Sequence, residues 1–162
     1  MITISGDGLT ITDIAAVARG AAVRLTDDQV VLSRVHASRQ RVADAVESGQ
    51  PIYGVTTLYG GMADAVVPPS QLRELQRVAV WHHKATTGPR LPEGDIRAAM
   101  LLRANSLMKG VSGVRLELVE RFVAFLNAGA TPHVHQRGSI GASGDLSPLS
   151  YIAGAKIGRA HV

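Results

Sequence analysis

Three small residues in succession, Ala142, Ser143 and Gly144, lie within the run Gly138-Ser-Ile-Gly-Ala-Ser-Gly-Asp-Leu-Ser-Pro-Leu-Ser. In a compressed turn the amide nitrogen of Gly144 can attack the carbonyl carbon of Ala142, and loss of water closes a five-membered ring. Loss of the Ser143 hydroxyl as a second water then leaves an exocyclic methylene. The product, a methylidene-imidazolone, is a strong electrophile made from the chain itself. A bulky side chain would block the compression, and Gly144 leaves its nitrogen accessible. Asp145 can orient the reacting groups, while the start of a following helix stabilises developing negative charge. A plainer reading of the same stretch is a turn, an Asp145 helix cap and Pro148 in the first turn. That reading accounts for the helix but not for the Ala-Ser-Gly directly ahead of it.

A second loop, Tyr53-Gly-Val-Thr-Thr-Leu-Tyr-Gly-Gly, carries Gly54, Gly60 and Gly61 within nine residues and so permits close backbone approach to a ligand. A tyrosine there can act as a general base if positive charge or hydrogen bonds lower its pKa. The alternative is a β-like turn with Tyr53 and Tyr59 packed on a helix. Metal binding by the adjacent His82 and His83 is disfavoured, because neighbouring helical residues diverge in direction. His133 and His135 alternate in a loop, but no third ligand is evident, so no metal is expected.

The elements that must position these residues are mainly helical. Thr12 is expected to cap a short helix through Ala18, and Asp27 or Asp28 a longer one with Val31, Val35, Val42 and Val46 at helical spacing, closed by Gly49. A third helix is predicted from Ser70 to about Ala85, with Leu72, Leu75, Val78 and Ala79 on one face. Two more are predicted over Glu93–Met108 and residues 113–128, rich in Ala, Leu, Arg and Met. The loops 53–62 and 131–148, rich in Gly, Ser and Thr, interrupt this pattern, and function concentrates in such loops.

Hydrophobic residues make up 46% of the 162 and charged residues 19%, enough for the core of one ordinary domain. Aromatics at 4% favour packed helices over a β-sandwich. The net charge of +4 is scattered without a run of one sign, so nucleic acid is not an expected partner. With no cysteine, disulfides and thiolate metal sites are excluded. Neither a secretory signal pattern at the first residues nor an apolar run of spanning length is seen, and a cytoplasmic protein without a membrane partner is expected.

Together the two loops resemble the histidine/phenylalanine/tyrosine ammonia-lyase and aminomutase family. The stretch Ile96-Arg-Ala-Ala-Met-Leu-Leu-Arg-Ala-Asn-Ser-Leu-Met-Lys-Gly-Val-Ser-Gly-Val-Arg-Leu-Glu-Leu is also similar, closest to bacterial phenylalanine ammonia-lyases. The resemblance runs from about residue 5 onward. It implies that Ala142, Ser143 and Gly144 form the 4-methylidene-imidazole-5-one group, with no external cofactor, and that Tyr53 removes the β-proton of an aromatic amino acid. It also implies that Gly60 lies beside the substrate and that His82 and His83 face its ring; tyrosine ammonia-lyases carry His at the position of His82, and histidine ammonia-lyases and some tyrosine aminomutases at that of His83. Tyrosine is the favoured substrate, ahead of histidine and phenylalanine, because imidazoles hydrogen-bond a phenol or an imidazole but not a bare phenyl ring. Leu58 departs from the glycine usual in the family. The expected fold is a mainly α amino-terminal helical and loop domain, residues 1–162, leading into a long helical bundle absent here. The whole enzyme is expected to be a homotetramer, and this piece alone inactive. Two alternatives stay open: an aminomutase, which returns the amine to the β-carbon, and an inactive helical interaction module.

Overall fold

A reciprocal hydrogen-bond pair opens the first helix, α1 (Ile11–Ala18). The Thr10 hydroxyl accepts the Asp13 N–H at 3.2 Å, and the Asp13 carboxylate accepts the Thr10 N–H at 3.0 Å. This capping box satisfies two backbone donors that the helix itself cannot. The cap is therefore Thr10 rather than Thr12, which lies inside the helix. The reason is spacing: the partner carboxylate must sit three residues after the cap, and Asp13 does so only for Thr10.

The computed structural model describes residues 1–141 and 144–156. Its order is β1 (Ile2–Ile4), α1, β2 (Val23–Leu25), α2 (Gln29–Glu47), α3 (Leu72–His82), β3 (Thr87–Arg90), α4 (Glu93–Leu107), α5 (Leu116–Asn127), β4 (His135–Arg137) and α6 (Leu146–Lys156). The fold is mainly α, as the composition predicts. Two short strand pairs were not anticipated: β1 with β2 in parallel, Ile2 opposite Val23, and β3 with β4 antiparallel, Arg90 opposite His135. No helix among the described residues is long and apolar enough to cross a membrane.

The core is centred on α4. Ile96, Met100, Leu101, Ala104 and Leu107 are buried on this helix, and Met108 immediately after it, against Val17 of α1 and Val119, Phe122 and Leu126 of α5. Burying a side chain of the size of Met100 or Leu101 contributes roughly 1.5–3 kcal/mol. The buried stripe is broad enough to face neighbours on two sides, which makes α4 a central helix rather than a surface one.

Three polar side chains lock this core by standing in for backbone. Arg97 is only 4% exposed, and its guanidinium donates to the Val17 carbonyl at 2.8 Å and the Leu126 carbonyl at 3.0 Å. Both acceptors lie in last turns, where helix carbonyls lack intrahelical partners and carry the negative end of the dipole. Asn127 pairs with Val23 as a peptide group would, accepting its N–H at 2.8 Å and donating to its carbonyl at 2.9 Å. Asn105 accepts the N–H groups of Ser5 and Gly6 at 3.2 and 2.9 Å, fastening the segment after β1.

Helix boundaries depart from expectation where tertiary contacts intervene. α5 begins at Leu116, not residue 113, because Gly113 has a φ of 63° and donates its N–H to Ser38 Oγ at 2.9 Å. A left-handed residue cannot enter a right-handed helix. α3 follows a single 3-10 turn (Pro69–Gln71) that contains Ser70, and it stops at His82 rather than near Ala85. Asp28 is the cap of α2, its carboxylate accepting the Val30 N–H at 2.8 Å.

Candidate functional site

The helix α3 presents Ala79 and Val80, and His83 just after it, to a cavity of about 760 Å3. Leu146, Leu149, Ser150 and Ala153 of α6 form the facing wall, and Tyr53, Tyr59 and Gly60 of the first loop close it. The size suits a ligand of amino-acid dimensions or larger. Mostly apolar walls with a few polar atoms are what an aromatic ring with polar substituents requires.

The Tyr53 loop is built by its own backbone and two threonines. Thr56 Oγ1 accepts the Ile52 N–H at 2.6 Å and donates to the Gln50 carbonyl at 3.1 Å, and both Thr56 and Thr57 are buried. Gln76, on α3, donates to the Gly54 carbonyl at 2.8 Å and so ties the loop to the helix. Within the loop the Tyr53 hydroxyl accepts the Gly60 N–H at 3.1 Å. Tyr53 is 64% exposed, so it is not buried on a helix. Two residues separated by seven positions are thus brought side by side, with the phenol oxygen oriented by a backbone donor.

His83 is oriented from behind. Its Nδ1 lies 2.6 Å from the Ala79 carbonyl. A carbonyl has no proton to give, so Nδ1 carries the hydrogen, and in the neutral ring Nε2 is left as an acceptor. His83 lines the cavity; His82, one residue earlier and exposed, does not. The divergence of adjacent helical positions accounts for the split.

Tyr59 is the residue that sequence reasoning left without a role. It lines the same cavity, and burial raises the pKa of its phenol. Its Oη has less than 1 Å2 of accessible surface and no hydrogen-bond partner among the described residues. A cue was present in the sequence: a second tyrosine in a glycine-rich loop brings a polar atom that must be satisfied somewhere.

Ala142 and Ser143 lie outside the described residues. What flanks them bears on whether the chain could condense there. Gly141 has a φ of 69°, Gly144 of 70° and Asp145 of 59°. A non-glycine residue in this region is uncommon, though aspartate tolerates it better than most. The Asp145 carboxylate accepts from Ser139 Oγ, which in turn accepts the Gly141 N–H at 3.3 Å. The Asp145 carbonyl accepts the Leu149 N–H at 3.2 Å and so begins α6. Asp145 thus stands at the head of the helix, but its carboxylate is turned back across the loop to Ser139. The backbone is thus left-handed on both sides of 142–143, and Ser139 links the Gly141 N–H to the Asp145 carboxylate. Gly144 and Asp145 line a separate recess of about 430 Å3 between α4 and α6, not the Tyr53 cavity; Leu149 lines both.

His133 Nε2 lies 3.1 Å from the Arg90 guanidinium, and His135 meets Tyr151 edge-on with ring centroids 6.3 Å apart. Among the described residues no three His, Asp or Glu side chains converge to hold a metal ion.

A sequence profile described as aromatic amino acid lyase matches residues 9–162. The chain is 65% identical to an aromatic ammonia-lyase from Loktanella atrilutea over 97% of its own length and 29% of that protein's. It is 55% identical to a phenylalanine ammonia-lyase from Nostoc punctiforme, covering 98% of this chain and 28% of the relative. Its fold superposes on a tyrosine aminomutase from Streptomyces globisporus with a TM-score of 0.87 at 37% identity, over 94% of this chain and 28% of that one. The chain therefore spans less than a third of the length of the relatives it matches.

Proposed function

Since the chain belongs to the aromatic amino acid lyase family, we propose that it supplies the base and the electrophile loop of an enzyme that eliminates ammonia from an aromatic L-amino acid, tyrosine foremost, to give the arylacrylate. The observation that carries this reading is one cavity in which Tyr53, Gly60 and His83 meet. Ala142, Ser143 and Gly144 would hold the methylidene-imidazolone, which supplies an electrophilic carbon to a substrate amine that is otherwise a poor leaving group.

The chain's own residues have separable tasks. Tyr53, once deprotonated, receives the β-proton and becomes the neutral phenol: its oxygen accepts a single backbone N–H, from Gly60, and has a further lone pair for a substrate hydrogen. Gly60, by fixing that oxygen, sets the direction of proton transfer. His83 offers Nε2 to a donor on the substrate ring, a phenolic hydroxyl foremost. The apolar walls from α3 and α6 exclude water from the ring and strengthen these few polar contacts. Asp145, through Ser139, holds the loop in the shape that cyclisation needs. We further propose that the complete enzyme is a cytoplasmic homotetramer.

The test is to follow arylacrylate formation from tyrosine in an active enzyme containing this chain. Ser143→Ala is expected to abolish turnover and to remove the two-water mass deficit from the peptide spanning 142–144. Undiminished turnover in that variant would overturn the reading. The likeness to an aminomutase makes product analysis part of the same experiment: a β-amino acid in place of the arylacrylate would assign the aminomutase reaction instead.

A further inference from the structure

The Tyr53 loop is gripped at Gly54, the residue directly after the tyrosine. The Gly54 N–H donates to Thr57 Oγ1 at 3.3 Å, the residue lies against the Tyr59 ring, and its carbonyl accepts from Gln76 Nε2 at 2.8 Å. The first of these bonds, like those of Thr56 and Tyr53, is internal to residues 50–60; the last crosses to α3. Gln76 also lines the cavity, together with Ala79, Val80 and His83. Spacings of three, four and seven residues put these four on one helix face. From Gln76 to His83 is two turns, a rise of roughly 10 Å. One end of the stripe holds the loop that carries Tyr53, and the other carries the oriented imidazole.

Resting on the reading of Tyr53 as the base, we propose that Gln76 is a positioning residue for proton transfer: by holding the Gly54 carbonyl, its amide sets where the Tyr53 oxygen stands relative to a substrate lying along α3. The Gly60 N–H orients that oxygen within the loop, but a contact inside the loop cannot place the loop against the helix. A donor anchored on the helix can. A glutamine amide suits the task, because it donates without bringing a charge that would perturb ionisation of the neighbouring phenol. Proton transfer is sensitive to such placement: a displacement of about 1 Å can cost about a hundredfold in rate. Binding of the substrate ring is less sensitive, because His83 and the walls from α3 and α6 lie outside the loop.

The experiment measures kcat and KM for tyrosine in an active enzyme containing this chain, with Gln76→Met and Gln76→Glu beside the parent. Met keeps the length and removes the donor; Glu keeps the shape and sets a carboxylate oxygen against the Gly54 carbonyl. We expect kcat to fall about tenfold for Met and further for Glu, while KM stays within about twofold. The melting temperature should stay near the parent's, since Gln76 is exposed. An unchanged kcat in both variants would overturn the assignment. So would a KM that rises as far as kcat falls, which would make Gln76 a substrate contact, or a fall in kcat that only tracks loss of folded enzyme. Failure of the underlying reading has its own signature, full turnover in Tyr53→Phe or Ser143→Ala, so the two failures are distinguishable.

Discussion

The helices α4 and α3 are near neighbours in the sequence and opposites in burial. α4 buries seven residues, among them Arg97 and Asn105, with their polar atoms engaged by backbone. α3 buries none, although it is strongly amphipathic by pattern, and its apolar residues Ala79 and Val80 line a cavity. One helix is saturated by contacts among the described residues; the other leaves its apolar side facing the cavity. The difference teaches where stability and function reside. The α1–α4–α5 unit gains from every side chain it encloses, whereas α3 buries none and leaves a volume between itself and α6.

That division can be broken by experiment. Tyr53→Phe gives the largest effect expected: a fall in turnover of about a hundredfold to ten-thousandfold, the usual contribution of a positioned proton acceptor, with little change in melting temperature. A large fall in stability from this exposed residue would mean that the cavity half carries fold as well as function. Arg97→Leu should do the reverse. It strips the last-turn carbonyls of Val17 and Leu126 of a charged donor in a buried site, a loss of about 2–4 kcal/mol, measurable by denaturant unfolding, while KM stays within about twofold if enough folded enzyme is assayed. A changed KM would show that the two halves communicate.

Smaller still is Thr10→Ala, which removes the α1 cap and costs about 1 kcal/mol. This site also gives a sign to pH dependence. The Asp13 carboxyl is held below its ordinary range by the Thr10 hydroxyl first and the Thr10 N–H second. A lowered folded-state pKa contributes stability that is fully present above the unfolded value and is lost as pH falls through the folded one. The wild type should therefore lose a small increment as pH falls below about 4, and Thr10→Ala, which keeps only the backbone N–H, should lose less. Parallel acid transitions for the two proteins would remove Asp13 from the cap.

The same contrast explains what could be read from sequence. α4 was legible to within a residue because strong helix formers, an acidic first turn and a closing glycine all agree over fifteen positions. The Thr10 cap was equally legible, since Thr10-Ile-Thr-Asp13 carries the reciprocal spacing, but Thr12 is the nearer threonine to the apolar stripe. β3 was not legible. Its residues Thr87, Gly88, Pro89 and Arg90 are all exposed and show no alternation, and its partner lies over forty residues away, so no local pattern announces it. At the site, Tyr53, Gly60 and His83 could be nominated from residue type and motif, and they share one cavity. That His82 points elsewhere follows from helical geometry once α3 is fixed. The orphan hydroxyl of Tyr59 depends on what surrounds it in space, which no motif encodes.

Gly154 of α6 has a consequence of another kind. A methyl group there would lie 2.5 Å from Lys84 Nζ and 3.4 Å from Val80 Cγ1, the latter a wall of the cavity. Lys84 Nζ in turn rests 4.5 Å from the ring centroid of Trp81, the chain's single tryptophan. Of the two neighbours the lysine tip is the more easily displaced, so a side chain at 154 would evict the ammonium before it spread the helices. The indole is thereby an intrinsic gauge of that displacement: Gly154→Ala is expected to change its emission by moving the ammonium off its face, outside the chamber itself.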